Sequence, residues 1–255
     1  MKKILKALVN KEIDIDTAHN QLQLQSIKKI SDIAKLDMCR EERTGAPEAI
    51  LAENKDSKDV KRLALAMVEE KGYVLITRVK KEDELELRNI PEMYDIIHNK
   101  KAKTIIIKKK EHKFKKAGTI GVLSAGTADI AVAEEVVETA FVMGCDVIKS
   151  YDVGVAGMHR LYEPLLEMVT KNVCAIVVVA GMDAVLPIVV SGNTDIPVIG
   201  VPTSVGYGMG KDGVAGLMTM LQSCSPGLAV MNIDNGFGAG VFAGLIAKQK
   251  WGEMK

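Results

Sequence analysis

Cys224 lies in the polar stretch Ser223-Cys224-Ser225-Pro226-Gly227, between a segment that reads as a helix and one that reads as a strand. A loop cysteine becomes a nucleophile once it is a thiolate. At a helix C-terminus the dipole opposes that, so activation needs a cation such as Lys211, Arg160 or the substrate itself. The residues alone leave two readings open, a nucleophile or an idle free thiol. Cys145 and Cys174 adjoin strands and read as small buried hydrophobes. His159 is the single histidine of the C-terminal half and stands beside Arg160, after Gly154 and Gly157. The pair can meet an anionic substrate and exchange a proton, or be an ordinary exposed loop. In Ser124-Ala125-Gly126-Thr127-Ala128-Asp129 a strand end, a glycine turn and a helix start come together. Such a turn offers free N–H groups and hydroxyls to a phosphate, and Asp129 suits ribose hydroxyls or a metal; a plain N-cap is the alternative. Asn232, Asp234 and Asn235 open the last helix, either as ligand or metal contacts or as a capping Asx turn.

These corners require a scaffold. From Thr119 the chain alternates strand and helix: Ile120–Leu123, Val147–Ile148, Ala175–Val179, Pro197–Val201 and Leu228–Met231 read as strands, with amphipathic helices between them. Continuous apolar strands between such helices predict a parallel sheet covered on both faces. Every corner is expected near the C-terminal end of a strand, the edge where open α/β sheets bind ligands. Ahead of this, residues 1–35 predict two amphipathic helices, the second capped at Asp16 or Thr17. A helix over Lys58–Lys71 ending at Gly72 and strands at Tyr73–Thr77 and Thr104–Ile107 follow, while Lys81–Arg88 is ambiguous. The basic run Lys108–Lys116 reads as a solvated linker, giving a small α+β domain over 1–116 and an α/β domain over 117–255.

Composition narrows the classes. The 255 residues carry a net charge of +1, which gives no electrostatic case for nucleic acid. No apolar run of about 18 residues and no signal-peptide pattern occurs, so no membrane span is expected and the cytoplasm is the default. The four cysteines, including Cys39, have no CxxC spacing, so neither a zinc knuckle nor a disulfide framework is indicated. The Ser124 turn is not a dinucleotide GxGxxG fingerprint. The charged stretch from Leu36-Asp37 to Pro47-Glu48 reads as surface rather than as an anion site.

Taken together, the corners resemble the PurE type of aminoimidazole ribonucleotide carboxylase and N5-carboxyaminoimidazole ribonucleotide mutase. The matching pieces are Ser124 and Asp129, Ala156-Gly157-Met158-His159-Arg160, the Ala180-Gly181 turn and Pro197–Pro202. Residues 1–116 and the Ser223-Cys224-Ser225 corner depart from that type. Over nearly the whole chain the sequence is more similar to the LarB family of nickel-pincer cofactor carboxylase/hydrolases. That similarity rests on Leu36-Asp37 through Arg40, Arg43-Thr44-Gly45, Pro47-Glu48, Val201–Gly208, Ser223-Cys224 and Asn232–Gly238. Asp183 departs from the expected Glu, which keeps the carboxylate but changes its reach.

The LarB resemblance implies a PurE-like (flavodoxin/Rossmann-like) three-layer domain that carboxylates the pyridinium ring of nicotinic acid adenine dinucleotide at C5. It also implies hydrolysis of the phosphoanhydride, giving pyridinium-3,5-biscarboxylic acid mononucleotide and AMP. CO2 or bicarbonate is the co-substrate and Mg2+ the expected cofactor, with Asp129 and Asp234 as candidate ligands. Cys224 is then the nucleophile, with His159 or Asp183 as base. Substrate contacts fall to Ser124, Gly126, Thr127, Asp129, Arg160, Gly181, Ser204, Asn232 and Asn235. A homo-octamer is expected by the same resemblance. The rival readings are a purine-pathway carboxylase or mutase, which needs no cysteine, and a nucleotide-binding module without turnover.

Overall fold

The computed structural model describes residues 2–25, 27–30, 34–37 and 40–253. Met38 and Cys39, in the middle of the charged N-terminal stretch, lie outside them. The chain forms two compact units. One comprises Met1–Ile76, Lys80–Ile96 and Ile106–His112; the other comprises Thr77–Val79, Ile97–Ile105 and Lys113–Lys255.

The N-terminal elements are α1 (Lys2–Val9), α2 (Ile15–Gln25), β1 (Ile27–Ile30), β2 (Ala34–Asp37), α3 (Arg40–Thr44) and β3 (Ala49–Leu51). They continue with α4 (Ser57–Lys71), β4 (Tyr73–Thr77), α5 (Lys81–Leu87), β5 (Tyr94–Asn99) and β6 (Thr104–Lys109). Strands β3, β4, β6 and β5 form one sheet in that order. The expected pair of helices over 1–35 is shortened. The second ends at Gln25 and an antiparallel hairpin, β1 with β2, follows. Its cap is Asp14, whose Oδ1 accepts from Thr17 N at 2.6 Å, rather than Asp16 or Thr17. The ambiguous stretch after Lys80 is helix α5, held at its start by Lys80 N donating to Asp83 Oδ2 at 2.9 Å. Helix α4 ends where expected, at Gly72 with φ 84°.

The C-terminal unit follows the expected alternation: β7 (Gly118–Ser124), α6 (Ile130–Val142), β8 (Cys145–Ser150), α7 (His159–Thr170), β9 (Ile176–Ala180) and α8 (Leu186–Ser191). It closes with β10 (Val198–Pro202), α9 (Val214–Leu221), β11 (Leu228–Val230) and α10 (Gly236–Glu253). The five strands pair in parallel in the order β11-β10-β9-β7-β8, the flavodoxin-like arrangement. Strand β9 is buried along its whole length and shows why both faces need cover. Val177 and Val179 pack on one side with Ala133, Val136 and Ala140 of α6 and Ala239, Ala243 and Ala247 of α10. Ile176 and Val178 pack on the other with Leu161, Leu165 and Met168 of α7, Val190 of α8 and Met220 of α9. Helices α6 and α10 approach closely because glycine lines the contact. A Cβ on Gly240 would meet Thr139 Cβ at 2.6 Å, and one on Gly236 would meet Val132 O at 2.6 Å. No helix of the described residues is long and apolar enough to cross a membrane.

Candidate functional site

The crossing between β7 and β9 is the switch point of the sheet, and a cavity of about 550 Å3 opens there. Its wall comes from the turns after β7, β8, β9 and β10. These contribute Ala125, Gly126, Ala128 and Asp129; Gly154, Val155 and Ala156; Gly181, Met182 and Asp183; and Val205, Gly206 and Tyr207. Apart from glycine backbone, the lining is mostly apolar. Its charged side chains are two carboxylates, Asp129 and Asp183.

Asp129 holds the corners together. It is 5% exposed, and its Oδ1 accepts from Thr203 Oγ1 at 2.7 Å while Oδ2 accepts from Gly126 N at 2.9 Å. The backbone N–H of Gly181 is a third donor to it. Burial pushes its pKa above the usual carboxylate range, and those three donors together pull it back. One carboxylate thus fastens the turns after β7, β9 and β10. Ser124 serves the same end: its hydroxyl donates to Gly126 O at 3.2 Å and accepts from Asp152 N at 3.3 Å. It is fully buried and is not among the cavity-lining residues, whereas Thr127 is exposed at the start of the α6 turn.

Asp183 sits between two residues forced into the left-handed region, Met182 at φ 52° and Ala184 at φ 50°. That turn places Asp183, an exposed residue, on the cavity wall just ahead of α8. Val185 N lies 3.5 Å from Asp183 Oδ1. Gly181 is required because a Cβ there would lie 2.3 Å from Val205 O and 2.7 Å from Thr203 Oγ1.

The turn after β11 is a local scaffold. Asn235 Oδ1 accepts from Gly238 N at 2.8 Å and caps α10, and Asn232 Oδ1 accepts from Ile233 N at 2.9 Å. Asp234 Oδ1 accepts from Ser204 N at 2.9 Å, which fixes the turn after β10. Among the described residues no group of three or more His, Cys, Asp or Glu side chains is placed to hold a metal ion. The two candidate ligands, Asp129 and Asp234, both accept protein N–H or O–H bonds and do not form an all-protein cage.

His159 and Arg160 begin α7, are exposed, and lie outside the cavity lining. Arg160 is turned onto Asp152, with which it forms an ion pair.

Cys224 is exposed, but it does not stand with the other corners, contrary to the expectation that every corner would sit at a strand's C-terminal end. Helix α9 carries the chain back across the sheet, so the Ser223–Gly227 loop enters β11 from its N-terminal end. Gly227 O accepts from Val198 N, the first residue of β10, at 3.0 Å. Ser225 Oγ bonds to Ser191 Oγ at the end of α8 at 3.0 Å. The cavity lies past the other end of β10. Cys145 and Cys174 are buried, as their strand positions suggest.

Two residues of this region escape a reading by motif. Thr203 follows the last residue of a buried strand and is fully buried, so its hydroxyl needs a partner, and Asp129 is that partner. Glu135 lies on the side of α6 that meets α10, where a Cβ on Gly236 would come within 2.8 Å of its Oε2, and a buried carboxylate in that apolar contact needs partners. Its Oε2 accepts from Phe237 N at 3.2 Å at the start of α10. Burial pushes Glu135 up to about 7 from 4.5, against the pull of Arg78 and of the Phe237 and Gly236 N–H groups. The folded value lies above the unfolded one, so stability from this group is full below 4.5 and is lost as pH rises through about 7. Glu135→Gln is expected to remove that dependence. Urea titrations between about pH 4.5 and pH 8 should show the wild type losing roughly 2–3 kcal/mol relative to the variant. Parallel curves for the two proteins would contradict it.

Comparison with known proteins agrees with this architecture. Residues 27–110 match the LarB/PurE-like N-terminal domain, and residues 119–255, more than half of the chain, match the AIR carboxylase family. An uncharacterized protein of Methanocaldococcus jannaschii is 48% identical over 252 residues, covering 97% of both chains. The chain belongs to the LarB/PurE superfamily. Two further relatives of this superfamily member align only with part of it. The N5-carboxyaminoimidazole ribonucleotide mutase of M. jannaschii is 33% identical over 128 residues, covering 49% of this chain and 75% of the relative. A probable N5-carboxyaminoimidazole ribonucleotide mutase of Methanothermobacter thermautotrophicus is 32% identical over 130 residues, covering 49% of this chain and 36% of the relative. Domain architecture therefore supports an enzyme of the LarB/PurE-like carboxylase and mutase kind.

Proposed function

We propose that the protein carboxylates the pyridinium ring of nicotinic acid adenine dinucleotide at C5 and hydrolyses its phosphoanhydride. The products are pyridinium-3,5-biscarboxylic acid mononucleotide and AMP. The observation that carries this reading is the charge of the cavity: its lining has Asp129 and Asp183 as charged side chains, set among apolar residues and glycine. A cationic ring is favoured over an anionic one beside these two carboxylates, Asp129 buried in the wall and Asp183 exposed at its surface. The N-terminal LarB-like domain supports the same choice.

The chemistry assigns roles. A pyridinium cation is an electrophile and does not attack CO2. Thiolate addition at C6 uses the sulfur lone pair to form an S–C bond and turns the ring into a neutral dihydropyridine whose C5 is nucleophilic. C5 then bonds to CO2 supplied as such or from bicarbonate. Asp183, or His159 brought to the ring, takes the C5 proton, and departure of the thiolate restores the aromatic cation. Cys224 is the proposed thiolate. Gly126, Thr127 and Asp129 form the turn that begins α6, where the exposed Thr127 is the proposed phosphate contact, since the Gly126 and Asp129 N–H groups bond within the turn. Gly181, Ser204, Arg160, Asn232 and Asn235 complete the proposed substrate contacts. Asp129 or Asp234 would hold Mg2+ if it binds, and the ion would neutralise charge on the phosphoanhydride, although both carboxylates also serve protein donors. A homo-octamer belongs to the same proposal.

Incubation with the dinucleotide, bicarbonate and Mg2+, followed by mass spectrometry, tests the reading. Wild type is expected to release AMP and the dicarboxylated mononucleotide, and Cys224→Ala to lower carboxylation by at least about 10³-fold. The aligned mutases favour the other reading, and turnover of aminoimidazole ribonucleotide unaffected by Cys224→Ala would establish it in place of this one.

A further inference from the structure

Arg78 comes to the ligand edge of the parallel sheet from a part of the chain that precedes the sheet. It follows β4, yet the Thr77–Val79 segment belongs to the C-terminal unit. Thr77 and Val79 on either side are 4% and 5% exposed, and Val79 N donates to Lys103 O at 2.8 Å. Arg78 itself is exposed, and its backbone lies in the left-handed region at φ 52°. A residue with a Cβ enters that region at a cost, and the two buried neighbours hold it there. The result is an outward arginine on a fixed backbone.

Its guanidinium meets the turns beyond the strand ends. Nη2 donates to Asp234 O at 3.4 Å, and the charge acts on Glu135 of α6. Asp234 Oδ1 in turn accepts from Ser204 N at 2.9 Å, and Ser204 adjoins Val205 of the cavity wall. A short run of hydrogen bonds thus joins Arg78 to that wall. A guanidinium carries five donors in one plane, so it holds a protein carbonyl and a phosphate oxygen at once.

The charges of this edge call for such a group. Asp129 and Asp183 line the cavity, and Asp234 and Glu135 belong to the turns and helix beside it. Carboxylates suit a cationic ring and repel a phosphate. Thr127 offers a phosphate a hydroxyl and no charge, and Arg160 is paired with Asp152.

Resting on the reading of the cavity as a nucleotide site, we infer that Arg78 is a substrate-binding residue whose guanidinium takes a phosphate group of the ligand beside turn 232–235. The acidic cavity receives the ring and Arg78 receives the phosphate, so the two ends of the site fix which way the ligand lies. Arg78 makes and breaks no covalent bond. Its contribution is to binding and orientation.

Calorimetric titration of the full-length protein with nicotinic acid mononucleotide, and with the riboside that lacks its phosphate, tests this. Wild type is expected to bind the mononucleotide more tightly. Arg78→Met should weaken the mononucleotide about 30-fold and the riboside by less than about twofold. Arg78→Lys keeps the charge and loses the fork, and should recover part of the loss. Equal weakening of both ligands, with a lowered melting temperature, would make Arg78 a brace for the Asp234 turn and overturn the inference. A second series uses aminoimidazole ribonucleotide and its riboside. Wild type that fails to prefer the phosphate-bearing ligand in either series also overturns it. The series separate this inference from the pyridinium reading. An Arg78-dependent preference for aminoimidazole ribonucleotide, with no binding of nicotinic acid mononucleotide, keeps Arg78 in its role and removes the pyridinium substrate. Carboxylation of the dinucleotide with a KM unchanged by Arg78→Met does the reverse.

Discussion

Asp129→Ala is expected to lower the unfolding free energy by roughly 3 kcal/mol and to abolish ligand binding in the cavity. The side chain is buried and accepts from Thr203 Oγ1, Gly126 N and the Gly181 N–H. Truncation leaves three donors facing a void, and an unsatisfied buried donor costs more than the bond it made was worth. The loss is not merely local, because those donors belong to turns after three different strands. Asp129→Asn keeps the volume and one acceptor oxygen but points an amide N–H at one of the donors, so an intermediate loss is expected. Urea denaturation of the three proteins, with ligand titration alongside, checks this. An alanine variant as stable as wild type would show that the turns are held by something other than this carboxylate.

Gly181→Ala should be at least as damaging, with an expected cost above about 3 kcal/mol and no measurable turnover. The added Cβ would lie 2.3 Å from the Val205 carbonyl oxygen, 2.7 Å from Thr203 Oγ1 and 3.2 Å from Asp129 Oδ1. A flexible side chain could move aside, but the closest atom is backbone. The turn after β10 would have to shift, carrying Val205, Gly206 and Tyr207 of the cavity wall with it. Thermal melting and the mass-spectrometric assay read the two effects separately. Gly206 is the contrasting control on the same wall: its Cβ would meet Gly210 O at 2.7 Å, within a turn that has no strand behind it. A milder loss is expected there.

The parallel sheet was legible in the sequence because its strands are continuous apolar runs between amphipathic helices, and β7, β9 and β10 fall where those runs do. The hairpin β1-β2 was not, because Ile27–Ile30 and Ala34–Asp37 are four-residue strands with two lysines in the first and one in the second. Strand β5 was missed for a similar reason, since Asp95, His98 and Asn99 leave only Ile96-Ile97 as an apolar pair within Tyr94–Asn99. Asp183, Asp129, Gly126 and Gly181 were legible as members of one wall, because residues just past the ends of parallel strands share an edge. Thr203 and Glu135 were not legible. Their roles depend on which groups face them from α6 and α10, elements distant in sequence.

The sequence by itself determined the strand–helix alternation, the glycine corners and the superfamily, since each rests on local pattern and residue type. Only the tertiary structure decided which corners meet. Ser223-Cys224-Ser225 looks like another corner in one dimension, yet it follows a helix and precedes a strand, whereas the turns of the cavity follow strands and precede helices. In a parallel sheet that difference of order places it at the opposite edge, about one strand length away. The same topology decided that Asp129 is a clasp between turns. Beside the local Gly126, its partners Gly181 and Thr203 follow β9 and β10, neighbours in the sheet more than fifty residues further along the chain.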